Sequence, residues 1–162
     1  MKQSKQKSLF DDVVARNRGR YVGIARAYAG EEHEDVLQDI LMQIWASLPR
    51  FEQRSSVDTW CYRIALNTAF SWRRNDKNKS VSSADSIEIT EVSGAIDGHD
   101  SIALLERFLN GLSHADRAMM LMYLDDLSGK EIAEITGLSE GAVRVRIHRI
   151  KARLESWNVT DS

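Results

Sequence analysis

Apolar residues recur through the first half of the chain at the three- and four-residue spacing of a helix face. Leu9, Phe10, Val13, Val14, Tyr21, Val22, Ile24, Ala25 and Tyr28 predict an amphipathic helix over roughly residues 8 to 29, with Gly30 ending it. Val36, Leu37, Ile40, Leu41, Ile44, Trp45 and Leu48 form a second stripe, and Pro49 cannot extend that helix. Residues 50–56 read as a loop, after which Ser55 or Ser56 caps a third helix carrying Trp60, Ile64, Ala65, Thr68, Ala69 and Trp72. That helix runs into Arg73 and Arg74, placed against its negative C-terminal end. Three helices with one apolar face each can share a core, which predicts a first domain over residues 1–76.

The pattern then breaks. Residues 77–100 are rich in Ser, Asp and Gly and read as a flexible linker. The alternation IEITEV within them could pass for a strand, but a strand without a partner is not stable. Helical spacing resumes with Ile102, Leu104, Leu105, Phe108 and Leu109 and, after Ser113, with Ala118, Met119, Met122 and Leu124. Met119, Met120 and Met122 read as core packing. Residues 101–162 are the predicted second domain, and the expected fold class is all-α, two small helical domains joined by a flexible linker.

From Gly129 to Arg153 the residues fit a helix-turn-helix. Ser128 and Glu131 have capping-box spacing, Ala133 is the small residue facing the second helix, and Gly137 supplies a turn position tolerant of positive φ. Ser139 caps the last helix, and Leu138 and Val143 pack the pair together over Ile132 and Ile147. The last helix carries Arg144, Arg146, His148, Arg149 and Lys151, groups suited to a major groove and its phosphates. A helix has more than one face, so Arg144 and Arg149 are the favoured contacts, and His148 reads equally well as a surface residue.

Composition narrows the class. Among 162 residues there are one proline and nine glycines, which favours helices over strands. Cys61 is the only cysteine, so no internal disulfide can form and a reducing compartment fits. The chain has no apolar run of membrane-spanning length and no signal-peptide pattern at its start, which predicts a cytoplasmic protein with no membrane insertion. The formal net charge of −2 hides an uneven distribution. Glu31, Glu32, Glu34, Asp35 and Asp39 crowd the start of the second helix, whereas basic residues gather at Arg73, Arg74, Lys77 and Lys79 and again from Arg144 to Arg153. Two basic patches on a nearly neutral chain suit a polyanion touched at two places. The histidines, His33, His99, His114 and His148, are scattered, with no catalytic, metal-ligand or phosphate-loop pattern around them. No enzymatic activity, catalytic residue, metal or cofactor is therefore expected.

Three segments together resemble the sigma-70 family of RNA polymerase sigma factors. Residues 35–45, DVLQDILMQIW, resemble the helix by which the family binds the polymerase clamp; the resemblance gives that role to Asp35, Gln38, Asp39, Leu41 and Met42. Residues 59–69, TWCYRIALNTA, followed by Trp72, Arg73 and Arg74, resemble the segment that melts the promoter and recognises its minus-ten element. The residues implied there are Trp60, Tyr62, Arg63, Asn67, Arg73 and Arg74, aromatic and cationic groups of the kind that hold single strands, with Trp60 also read as largely core. Residues 127–153 resemble the minus-thirty-five-binding domain. Order and spacing fit the extracytoplasmic-function (ECF) group, which implies core RNA polymerase, promoter DNA and an anti-sigma factor as partners. Cys61 stands where the family usually has leucine, and His114 where it commonly has proline. The alternative from the residues is a stand-alone helix-turn-helix repressor binding a palindromic operator.

Overall fold

The computed structural model describes the backbone of residues 1–79 and 101–160. Most of the expected linker, from residue 80, lies outside the described residues, as does its IEITEV segment. Every regular element among the described residues is helical.

Helix α1 spans Gln3–Ala29, beginning earlier than its apolar stripe because the exposed polar first turns add backbone bonds without needing burial. Gly30 ends it at φ 56°, opening a short 3₁₀ turn, Gly30–Glu32. Helix α2 spans His33–Ser47 with Glu34 and Asp35 in its first turn. Pro49 falls in a second 3₁₀ turn, Leu48–Arg50, where its fixed φ is accommodated. Helix α3 spans Val57–Lys79. Of the two candidate caps it is Ser56 that accepts, from the Thr59 amide at 3.1 Å. The helix continues beyond Arg73 and Arg74, past the domain boundary expected at residue 76. Those arginines therefore do not sit at a helix end and gain nothing from its terminal dipole, contrary to the sequence expectation.

α1, α2 and α3 pack as one three-helix unit. Val13, Tyr21, Ile24, Val36, Ile40, Ile44, Cys61 and Ala65 are buried at its centre. The buried Asn17 side chain donates to the Val13 carbonyl at 2.9 Å and to Asp58, whose carboxylate also pairs with Arg16 at 3.2 Å, so α1 and α3 are tied by a satisfied polar contact. Phe10 meets Trp45 edge-on at 5.3 Å across α1 and α2.

The second unit contains α4 (Ser101–Asn110), α5 (His114–Leu124), α6 (Gly129–Thr136) and α7 (Glu140–Thr160). Ser113 caps α5, accepting from the Asp116 amide at 3.3 Å. Helix α5 ends with Asp126 left-handed at φ 60°, while the Leu127 amide reaches back to the Met122 carbonyl at 3.1 Å. That Schellman-type ending buries Leu127 and leaves Asp125 as the cap of the helix. Met119, Met120 and Met122 are all buried. Arg117 is buried too, its guanidinium donating to the carbonyls of Leu109, Asn110 and Leu112 and so satisfying the end of α4. Burial lowers its pKa to about 10.

Candidate nucleic-acid interface

The helix-turn-helix is built as its spacing predicts. Ser128 accepts from the Glu131 amide at 3.1 Å, and Glu131 accepts in return from the Ser128 amide at 2.9 Å. Gly137 lies at φ 78°, and Ser139 accepts from the Ala142 amide at 3.1 Å. Ile132, Val143 and Ile150 are buried, with Ile147 and Leu138 packed against them. This leaves one long side of α7 open to solvent.

The five basic residues of α7 divide between roles. Arg144, His148 and Arg149 are exposed. Arg146 is turned inward, its Nε donating to Asp116 of α5 at 2.7 Å. Its Nε is thereby committed to an ion pair within the second unit, although the side chain remains 35% exposed. Arg153 reaches the same carboxylate at 3.7 Å. Lys151 is exposed but donates to the Tyr123 hydroxyl at 3.1 Å and lies 5.0 Å from that ring's centroid.

On α2, Asp35, Gln38, Asp39 and Met42 are exposed and Leu41 is half-buried. Positions 35, 38, 39 and 42 follow helical spacing, so they form one ridge, with Met42 at 61% exposure its apolar member. Beside it a groove of about 690 Å³ runs between α2 and α3, lined by Asp39, Gln43, Asn67, Thr68, Ser71 and Trp72 among others.

The residues proposed for the minus-ten strand do not share one face. Arg63, Asn67 and Arg74 are exposed, and Arg73 is half-buried, donating to Asn110 of α4 at 3.4 Å. Trp60 is partly buried against Phe51, 5.2 Å between centroids. Tyr62 is only 2% exposed, and its hydroxyl donates to Asp125 at 2.7 Å.

That last bond belongs to an interface between the two helical units which the sequence did not announce. Arg20 donates to the Asp125 backbone carbonyl at 2.8 Å, and Arg63 donates to the Glu134 carbonyl. His114 stacks on Phe70, centroids 3.6 Å apart, and its Nδ1 shares a 2.7 Å hydrogen bond with the Tyr28 hydroxyl. Burial, reinforced by Arg117, lowers the His114 pKa, and burial raises that of Asp125. A cleft of about 300 Å³ remains between the units, lined by Arg63, Asn67, His114, Met119 and Leu138 among others. Asn67 thus stands at the edge of both this cleft and the α2–α3 groove.

Comparison with known proteins agrees with this division. Residues 13–79 match sigma-70 region 2, and residues 102–154 match sigma-70 region 4. The ECF RNA polymerase sigma-E factor of Escherichia coli is 30% identical, the alignment covering 95% of this chain and 88% of that one. The chain belongs to the ECF group of the sigma-70 family. This sigma factor is also 31% identical to RNA polymerase sigma factor CarQ of Myxococcus xanthus, over 86% of this chain and 83% of that one. Its fold matches that of the sigma factor RpoE solved in complex with the anti-sigma factor NepR from Bartonella quintana, with a TM-score of 0.68 at 24% identity over 94% of this chain and 98% of that one. It is a transcription initiation factor that directs RNA polymerase to promoters, and the stand-alone repressor is not favoured. Among the described residues no helix is long and apolar enough to cross a membrane.

Proposed function

We propose that this sigma factor divides its work between two surfaces on separate helical units. The α2 ridge of Asp35, Gln38, Asp39 and Met42, flanked by Leu41, docks on the clamp of core RNA polymerase. The exposed side of α7, through Arg144 and Arg149 with His148 and Lys151 at its margin, enters the major groove at the minus-thirty-five element. Asn67, Arg63 and Arg74, with the Trp60 and Trp72 region, take the melted minus-ten strand along α3. The observation carrying this reading is the simultaneous exposure of the acidic-apolar ridge on α2 and the cationic side of α7.

The clasp between the units adds a conformational step. With Tyr62 and Arg63 engaged by the second unit, the α3 surface is partly covered. Productive binding separates the units, and polymerase then fixes their spacing, so each modest DNA contact raises the effective concentration of the other. An anti-sigma factor would act in the opposite sense, holding the units together and covering both basic surfaces; that a sigma factor of this fold, RpoE, forms a complex with an anti-sigma factor, NepR, supports such a partner. The chain performs no catalysis itself, polymerase supplying the RNA chemistry, and it works in the cytoplasm where polymerase is.

Run-off transcription tests the reading. Core polymerase with this chain initiates from selected two-part promoters, and core polymerase alone does not. Initiation without the chain, or none with it, contradicts the reading.

A further inference from the structure

The exposed side of α7 is not purely cationic. Val145 lies between Arg144 and the inward-turned Arg146 and is 61% exposed, whereas its neighbour Val143 is 1% exposed and packs in the core. Helical spacing puts Val145 on the face of His148 and Arg149, three and four positions on. A β-branched residue at an open helix position gains nothing from burial and has lower helix propensity than alanine, so the domain's stability does not call for it. Val145 shares its side of the helix with the exposed Arg144, His148 and Arg149, the side assigned above to DNA. In the major groove the thymine C5-methyl is the apolar feature of the base edges, and apolar side chains contact it. Arg144 and Arg149, both exposed, supply the phosphate and guanine contacts that would seat the helix.

Resting on the promoter-binding reading above, we propose that Val145 determines specificity by packing on the methyl group of a thymine in the upstream promoter element. No hydrogen bond is involved, so the discrimination is between thymine and any base lacking that methyl.

Deoxyuridine substitution isolates the contact, because it removes the methyl and keeps the hydrogen-bonding edge. The assembled holoenzyme selects its upstream element from a randomised duplex pool, and each selected thymine is then replaced singly. At one position the substitution lowers promoter binding by about fourfold, the scale of burying one methyl group. Val145→Ala lowers binding to the thymine promoter similarly, and deoxyuridine at that position then has no further effect. The exposed site and alanine's helix propensity keep this variant folded, which circular dichroism verifies. An element without thymine, tolerance of deoxyuridine at every position, or unchanged deoxyuridine sensitivity in Val145→Ala overturns the inference while leaving promoter recognition intact. Failure of the holoenzyme to select any sequence overturns the promoter-binding reading, and the inference with it.

Discussion

Tyr62 of α3 donates a 2.7 Å hydrogen bond to the carboxylate of Asp125, at the end of α5, joining the two halves of the chain. Arg20 binds the backbone carbonyl of the same aspartate, so one residue gathers contacts from two helices of the first unit. Asp126 follows in the left-handed region at φ 60°, and on the proposed function breaking this contact would be part of separating the units.

Asp125→Asn keeps the shape but removes the charge, and Asp125→Ala removes the acceptor. Asp125→Ala leaves the Tyr62 hydroxyl without its acceptor but also relieves the burial of a charge, so the closed-to-open ratio shifts toward open by less than the about 1.5–3 kcal/mol of a full charged hydrogen bond. Fluorophores placed on α1 and α6 read this as lower energy transfer. Unchanged transfer would show that the Asp125 contact does not hold the units together.

Acidification acts through His114. Its pKa in the closed form lies below the ordinary histidine value, so the open form takes up more protons as pH falls through about 6.5, and closure weakens. Arg117 belongs to the same unit and opposes protonation in both forms; the difference comes from burial against Tyr28 and Phe70, with Arg73 close by. Asp125, its pKa raised by burial, works in the opposite direction nearer the carboxylate range. Between pH 7.5 and pH 5.5, as about one unit either side of the histidine value, energy transfer therefore falls in the parent. It stays flat in His114→Phe, which keeps the ring stack without the titration. A parent that is equally flat removes His114 from the account.

Arg146 and Arg149 are both arginines of α7, but their variants should separate. Arg146→Ala breaks the partly buried pair with Asp116 and costs about 1 kcal/mol of stability, read as a lower melting temperature. Arg149→Ala leaves melting unchanged and weakens upstream promoter binding. The opposite pattern would mean that α7 is rotated relative to the face assigned to DNA.

The helices were legible because their signals are local. Apolar stripes, the Ser128–Glu131 box, the Ser139 cap and Gly137 each act within a few residues, and each forms as its spacing predicts. The start of α1 was missed because its first turns carry no apolar stripe. The clasp was invisible for a different reason: Tyr62 and Asp125 are 63 positions apart, and neither has a local pattern pointing to the other. Arg146 was grouped with its neighbours because charge alone does not give helix phase; Asp116, 30 positions earlier, decides it. His114, visible only as a departure from the family's usual proline, proves to be a ring stacked on Phe70 and hydrogen-bonded through Nδ1 to the Tyr28 hydroxyl. The exposure of Val145, an apolar residue two positions from the buried Val143, is not legible in sequence because it depends on how α7 packs.

On the proposed function, the α2 ridge is what binds this chain to core RNA polymerase. Size-exclusion chromatography with core RNA polymerase stripped of other sigma factors tests it most directly. Stoichiometric co-elution is expected, lost when Asp35, Gln38 and Asp39 are replaced together by alanine and retained in Arg149→Ala. A folded chain that elutes apart from a core preparation able to bind other sigma factors, or a triple variant that binds as the parent does, would contradict it.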